Sequence, residues 1–282
     1  MAKRKGEGAN GNRNKKYKVN GFIHLNTSGV YATCNRGREL GCRKELVRLL
    51  AEKIDVLYPD WKEQIGEEDD EEKKADEEPK KESRKLTVEE QVENELKLIG
   101  HSKTAKQHPL LVPMDLGCEC LVFVKTKKPL KAVELVHALC EEAYETKQKN
   151  ARFTQKLSPI ENSVSASAEE LEKLAVTVLK PHFHQENQQP LKFAIQVTRR
   201  NFNALEKEDI IKKIASLVGH DHGHSVDLKN YDKLIMVECY KTNVGMAVVT
   251  DFQKYDKFNL QQIFEKASDA QESDVASRVR SA

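Results

Sequence analysis

The chain has 282 residues, 33% of them charged and 38% hydrophobic, with a formal net charge of +2. That length suits two domains of ordinary size, and the composition implies that solvated segments dilute globular ones. No run approaches the roughly 18 apolar residues of a membrane span and the N-terminus lacks the apolar core of a signal peptide, which speaks against a membrane-spanning or secreted chain and for an intracellular soluble one.

Residues 1–20 form a basic arm expected to be disordered: the first 18 residues hold seven bases and one acid. Such an arm suits polyanion contact or nuclear import, with a merely soluble tail as the alternative, so a nuclear or nucleolar location is expected and a cytoplasmic one stays open. Gly29–Cys34 has strand character and Asn35-Arg36-Gly37 reads as a loop. From Arg38 to Tyr58 the apolar residues Leu40, Val47, Leu50, Ile54 and Leu57 recur at helical spacing, and Pro59 closes the element. Residues 60–108 read as an acidic, largely disordered insertion with one short amphipathic run at Val88–Leu96; within it, residues 67–82 carry ten acids and four bases, net −6, so the rest of the chain sums to +8. Leu110–Asp115 and Cys118–Lys125 read as a tight hairpin about Leu116-Gly117, Pro129 precedes a helix from Leu130 to Glu145, and Arg152–Leu157 is strand-like. The order strand, helix, strand, strand, helix, strand is that of a ferredoxin-like split β-α-β pair over residues 21–157.

A linker strand, Pro159–Ser165, opens a second α+β unit over residues 158–258. Ser167 followed by Glu170 is a helix cap, and the helix runs to Lys180 with Leu171, Leu174, Ala175, Val178 and Leu179 inward, stopped by Pro181. FAIQVT, Phe193–Thr198, alternates as a strand that buries one face and wets the other. A helix from Glu206 to Val218 carries Ile210, Ile214 and Leu217. Ser225–Leu228, a turn at Lys229–Asp232, and the strands Lys233–Tyr240 and Val244–Val249, joined at Thr242-Asn243, complete the unit. Residues 259–282 read as a polar tail.

The sequence contains no phosphate loop with GK[ST], no GxGxxG, no GxSxG and no HExxH. His182-Phe183-His184 and the three imidazoles of His220–His224 invite a zinc reading, but no cysteine pair accompanies them, so no metal site is assigned. The six cysteines, at 34, 42, 118, 120, 140 and 239, lack a disulfide spacing and are expected reduced; Cys118 and Cys120 are expected as small core side chains on a strand. Glu238 is expected on a face that ends in solvent or pairs with Lys233 or Lys241.

The basic and amide-rich positions are of another kind. Arg199, Arg200, Asn201 and Asn203 come where a strand ends, Lys207, Lys212 and Lys213 follow on a helix, and Lys229 and Asn230 lie in a turn of the same unit. Arginine forks onto phosphate, asparagine hydrogen-bonds sugars or base edges, and Phe202 could stack on an unpaired base. A solvated face with Phe202 folded into the core fits the same composition.

The series KFAIQVTRRNFN, EKEDIIKKIASLVG and HSVDLKNYDKLIMVECYKTNVGMAVV resembles the THUMP domain of RNA-modification proteins, with its V-D-L-x-N-x-D and I-x-V-E motifs. The preceding half resembles the ferredoxin-like domain that typically precedes a THUMP. SGVYATCNRGREL, DLGCECLVFVKTKKP and LKPHFH extend the likeness, from Gly21 to Phe258, to the fungal THUMP family of tRNA acetylation. The resemblance implies a noncatalytic adaptor, without a cofactor of its own, that presents leucine and serine tRNAs to a separate RNA cytidine acetyltransferase for N4-acetylcytidine formation in the D arm. It implies RNA contacts at Arg199, Arg200, Lys229 and Asn230, to which the residue chemistry adds Asn201, Asn203 and Lys212. Tyr231 stands where the motif usually has proline. A stand-alone tRNA-modifying enzyme, metal-assisted through the histidines, is the alternative.

Overall fold

The computed structural model describes residue 23 and residues 25–62 and 108–266; the basic arm, residues 67–82 and the amphipathic run at 88–96 lie outside the described residues. Strand β1 (Ser28–Thr33) leads into helix α1 (Glu39–Leu57), then strands β2 (Leu111–Met114) and β3 (Leu121–Thr126), helix α2 (Ala132–Thr146) and strand β4 (Leu157–Ile160). The four strands form one antiparallel sheet in the order β2-β3-β1-β4. Both helices contribute to one core on it, with Leu46, Leu50 and Ile54 from α1 and Leu135, Val136 and Leu139 from α2.

The α1 stripe is rotated from its expected position. Cys42, Leu46, Leu49, Leu50 and Ile54 are buried, while Leu40 and Leu57 are exposed: Leu40 falls off the buried face and Leu57 is the last residue of the helix. The hairpin expected about Leu116-Gly117 is also wider. Gly117 and Cys120 both take left-handed backbone, φ 61° each, so Cys118-Glu119-Cys120 lies in the connection before β3 and its two thiols are half-exposed rather than core. Residues 152–156 are not a strand. The ladder beside β1 begins at Leu157.

Asn162 continues at once from β4 into strand β5 (Asn162–Ser165) of a second sheet, so the expected linker strand is the joint between the two sheets. Helix α3 (Ala168–Phe183), strand β6 (Lys192–Arg200), helix α4 (Lys207–Val218) and strands β7 (Ser225–Val226), β8 (Lys233–Tyr240) and β9 (Asn243–Val249) follow. The sheet order is β5-β9-β8-β6-β7, with β6 parallel to β7 and β8 and the other neighbours antiparallel. Ser167 caps α3 by accepting the Glu170 N–H at 3.2 Å. Pro181 does not stop the helix; it sits in its last turn, two residues before the end.

Phe193 and Val197 of β6 join Ile235, Val237 and the stripes of α3 and α4 in one core. The opposite face, expected wet, is covered: Ala194, Leu234, Met236 and Val249 belong to the core of the first sheet. The two sheets thus share apolar packing across a seam. Gly245 sits on it, where an added Cβ would come within 2.8 Å of the Ile160 side chain. After β9 the chain returns to the first core through Phe252, Tyr255, Phe258, Leu260 and Ile263. Residues 260–266 are helical, so the polar tail expected from 259 begins in ordered structure. Between them, Asp256, Lys257 and Phe258 take φ 47°, 60° and 57° in succession. A left-handed turn of three non-glycine residues costs about 1–2 kcal/mol per residue, and the buried rings of Tyr255 and Phe258 hold it in place.

Candidate nucleic-acid interface

Arg199 and Arg200 do not follow β6; they are its last two residues, in register with Cys239 and Tyr240 of β8. Alternation sends them to opposite faces. Arg199 lies on the helix side, where its guanidinium donates to Glu206 Oε2 at 2.9 Å and to the Phe202 carbonyl at 3.3 Å. Phe202 is 3% exposed and belongs to the core, so of the two readings of that ring the buried one holds. Arg200 lies on the seam side, and its Nε is buried with no hydrogen-bond partner. Asn201, at φ 49°, turns the chain out of the sheet, and it and Asn203 are exposed.

Lys229 and Asn230 lie at the other end of the sheet. Asp227 Oδ1 accepts the N–H groups of Lys229 and Asn230 at 3.0 and 2.9 Å, and these bonds, Asn230 first, with Lys192 nearby, hold its carboxyl below the usual carboxylate range. Asp232 Oδ2 accepts the Lys192 N–H at 2.8 Å. Both aspartates of the V-D-L-x-N-x-D motif therefore build the turn, and the side chains of Leu228, Lys229 and Asn230 are left exposed. Tyr231, in the proline's place, is half-buried against the first core. β6 register places this turn near Phe193 and the arginines at Arg200, a separation of roughly 23 Å at the rise of a strand. Lys212 is exposed on α4, whereas Lys213 is tied to Glu172 of α3 at 2.6 Å. The expected site residues thus fall into two groups, not one patch.

A third basic region, which sequence reasoning did not single out, lines a groove of about 1030 Å³ between the first unit and α3. Lys125, Lys127, Lys128 and Lys131 from the β3–α2 junction face Pro181 and His182 across it. Lys131 is paired with Glu134 at 2.8 Å and His182 lies 3.8 Å from Glu161, but among the described residues no carboxylate pairs with Lys125, Lys127 or Lys128. The signal was present as the run KTKKPLK, 125–131; what the sequence could not show is the helix that walls the other side. With its lysines at one rim, the groove suits a polyanion.

The positions that an enzyme or metal reading would use are otherwise engaged. Glu238 is 7% exposed and faces the seam, not solvent, because the first unit covers that side of β8. Burial pushes its carboxyl up, against the Ser158 hydroxyl, the cations of Lys156 and Arg200 and the Thr198 hydroxyl. The expected partners are elsewhere: Lys233 donates to the His182 carbonyl at 3.1 Å and Lys241 to the Leu116 carbonyl at 3.2 Å. His224 accepts the Leu191 N–H on Nδ1 at 3.1 Å and donates from Nε2 to the Phe183 carbonyl at 2.9 Å, which fixes its tautomer and consumes both ring nitrogens. Among the described residues no group of three His, Cys, Asp or Glu side chains is placed to hold a metal ion, and no helix is long and apolar enough to cross a membrane.

The family model described as the THUMP domain matches residues 165–249, from the end of β5 to the end of β9. The whole chain is similar to the tRNA acetyltransferase TAN1 of Saccharomyces cerevisiae, at 44% identity with 93% of each chain covered. The chain belongs to this family of THUMP-domain tRNA-acetylation proteins. An uncharacterized protein of Schizosaccharomyces pombe is 34% identical, covering 89% of this chain and 80% of its own. The bovine THUMP domain-containing protein 1 is 29% identical over 86% of this chain and 64% of its own. In THUMP terms, the two aspartate-anchored ends of β7 and β8 and the arginine end of β6 all lie inside the matched domain, whereas the lysine rim of the groove comes from the unit that precedes it.

Proposed function

We propose that this THUMP protein is a noncatalytic tRNA-binding adaptor that presents leucine and serine tRNAs to a separate RNA cytidine acetyltransferase, for N4-acetylcytidine formation in the D arm. The observation that carries the reading is the near full-length, 44% identity to a yeast protein named for tRNA acetylation. The antiparallel order β2-β3-β1-β4 with two helices in one core supports a ferredoxin-like unit ahead of the THUMP domain. Three surfaces are assigned to RNA: the groove rim at Lys125, Lys127 and Lys128, the turn at Lys229 and Asn230 with Lys212 on α4, and the β6 end with Arg199, Arg200, Asn201 and Asn203. The adaptor part rests on the sequence, which holds no nucleotide-binding loop, and on Glu238 and His224, whose polar atoms are turned into the fold. The basic arm, with seven bases in its first 18 residues, supports a nuclear or nucleolar location, with a cytoplasmic one as the alternative.

The test is reconstitution. Purified chain, leucine or serine tRNA, acetyl-CoA and ATP are combined with and without the separate acetyltransferase, and acetylcytidine is counted by mass spectrometry of nucleosides. Product is expected only when both proteins are present. The name of the yeast relative, an acetyltransferase, favours the second reading, an enzyme in its own right, and product formed by the chain alone would establish it.

A further inference from the structure

Three cations outside the groove lie near one another on the seam between the two sheets: Arg200 at the end of β6, and Lys156 and Lys257, with Arg200 and Lys257 close enough to act on the Lys156 charge. Arg200 reaches in from β6 with its Nε buried and unpartnered. Lys156 comes from the residue before β4; its backbone bridges Asn259 and its Nζ sits 5.6 Å over the Phe252 ring. Lys257 is exposed at the middle of the left-handed turn, two residues from that bridge. The turn is pinned to the same stretch of chain before β4, with the Leu260 N–H donating to the Gln155 carbonyl at 3.0 Å.

None of the three cations forms an ion pair among the described residues. Asp256, next to Lys257 in the chain and with a mostly buried side chain, is already taken by Lys266, and Glu238, whose carboxyl feels Lys156 and Arg200, is buried on the seam. The lysine in the middle is under strain of its own: burial lowers the Lys156 pKa, Glu238 opposes this, and Arg200 and Lys257 lower it further. Two like charges beside one buried acid, with a third held near Lys156 by a strained turn, are an arrangement that an added anion relieves.

We propose that Arg200, Lys156 and Lys257 form a seat for one phosphate group of the bound RNA backbone. Arg200 offers the guanidinium fork, and the two ammonium groups flank it as point charges. Because the seat uses both β6 of the THUMP domain and the residue that leads into β4, it reads the junction of the two units and not the THUMP surface alone. The identity of the ligand as RNA rests on the tRNA-binding reading; the existence of the seat does not.

The experiment uses the full chain and two probes. Inorganic phosphate is titrated at fixed ionic strength while lysine side-chain signals are followed by NMR, and tRNA affinity is measured across salt concentrations. The variants are Lys257→Gly, which removes the charge and also relaxes the turn, and Lys156→Met, with Lys254→Ala as an exposed control on the same segment. Phosphate is expected to shift the Lys156 and Lys257 signals, and each seat variant to weaken tRNA binding about 3-fold to 10-fold while reducing the slope of log K against log salt by about 0.7–0.9; the control is unchanged. Phosphate shifts with no tRNA binding by the wild type would keep the seat and remove the RNA reading. Wild-type tRNA binding with unchanged salt slopes in both seat variants would overturn the proposal and leave the tRNA reading standing, whether or not phosphate shifts the signals.

Discussion

Arg199 and Arg200 are consecutive in the chain and serve opposite faces of one sheet, Arg199 bound to Glu206 and the Phe202 carbonyl and Arg200 turned to the seam. For Arg199, that makes Glu206 an intramolecular competitor of any phosphate. The pair is open to water, with the side chains 26% and 68% exposed, so it contributes at most about 1 kcal/mol to stability. Glu206→Gln is therefore expected to leave the melting curve nearly unmoved and to tighten tRNA binding by freeing the guanidinium, whereas Arg199→Ala weakens binding. Thermal melts and filter binding of the two variants at one salt concentration check this, and movement of both affinities in the same direction removes Arg199 from the interface.

Local chemistry is legible where one residue decides the outcome. Ser167 before Glu170 marks a cap and is one, and the alternation in KLIMVECY makes β8. Faces and ends are harder to read. Glu238 reads as solvent-facing because alternation says which residues share a face, not what covers that face; the cover is Ser158 and Lys156, some eighty residues earlier in the chain. Arg199 and Arg200 read as one patch because sequence adjacency hides the pleat. The groove is invisible for a similar reason, since its lysines and His182 meet only when α3 folds over the β3–α2 junction.

The groove lysines are expected to matter to RNA and not to folding. Lys127 is half-buried and Lys128 exposed, and neither makes an ion pair among the described residues. A double Lys127→Glu, Lys128→Glu chain should melt within a few degrees of wild type, while its tRNA affinity falls at least about 10-fold at physiological salt and the salt slope drops by about one for each phosphate left without its lysine. Titrations at several salt concentrations check both numbers; an unchanged slope takes the groove out of the RNA path.

Two glycines are expected to reject a methyl group to different degrees. At Gly29 an added Cβ would lie 2.5 Å from the Val124 carbonyl oxygen and 2.5 Å from the Phe123 ring, while at Gly245 its three nearest neighbours are all Ile160 side-chain atoms, the first at 2.8 Å. Backbone cannot step aside as a side chain can, so Gly29→Ala should cost more than Gly245→Ala, the latter about 1–3 kcal/mol as overpacking usually does. Urea denaturation of the two variants orders them.

Glu45 carries a pH dependence. Burial pushes its carboxyl up, but the N–H groups of Arg152, Phe153 and Thr154 at 2.7, 2.9 and 2.7 Å outweigh that, and the pKa is lowered. A carboxyl whose folded pKa lies below its unfolded value stabilises the fold above the unfolded value, about 4.3, and loses that contribution as pH falls through the folded one. Glu238, raised by burial, has the opposite sign, so the comparison must be made within one pair of chains. Glu45→Gln is expected to cost about 1–2 kcal/mol at pH 7 and progressively less toward pH ~3, and urea melts of the two chains across that range should show the gap closing.

His224 separates a structural histidine from a metal ligand. Its Nδ1 and Nε2 are both engaged by backbone, joining the Leu191 N–H to the Phe183 carbonyl, and its ring meets the Phe183 ring edge-on at 5.3 Å. Replacing it by phenylalanine keeps the shape and strands a buried donor and acceptor, which costs about 1–3 kcal/mol. If the imidazole is only a strut, a chelator leaves the wild-type melting temperature where it was, added zinc does not raise it, and His224→Phe lowers it in both conditions by the same amount. His222, 5.8 Å away ring to ring, gives the internal comparison: His222→Ala should hardly move the melt, whereas a metal site would make the two substitutions equally costly and abolish the response to chelator in each.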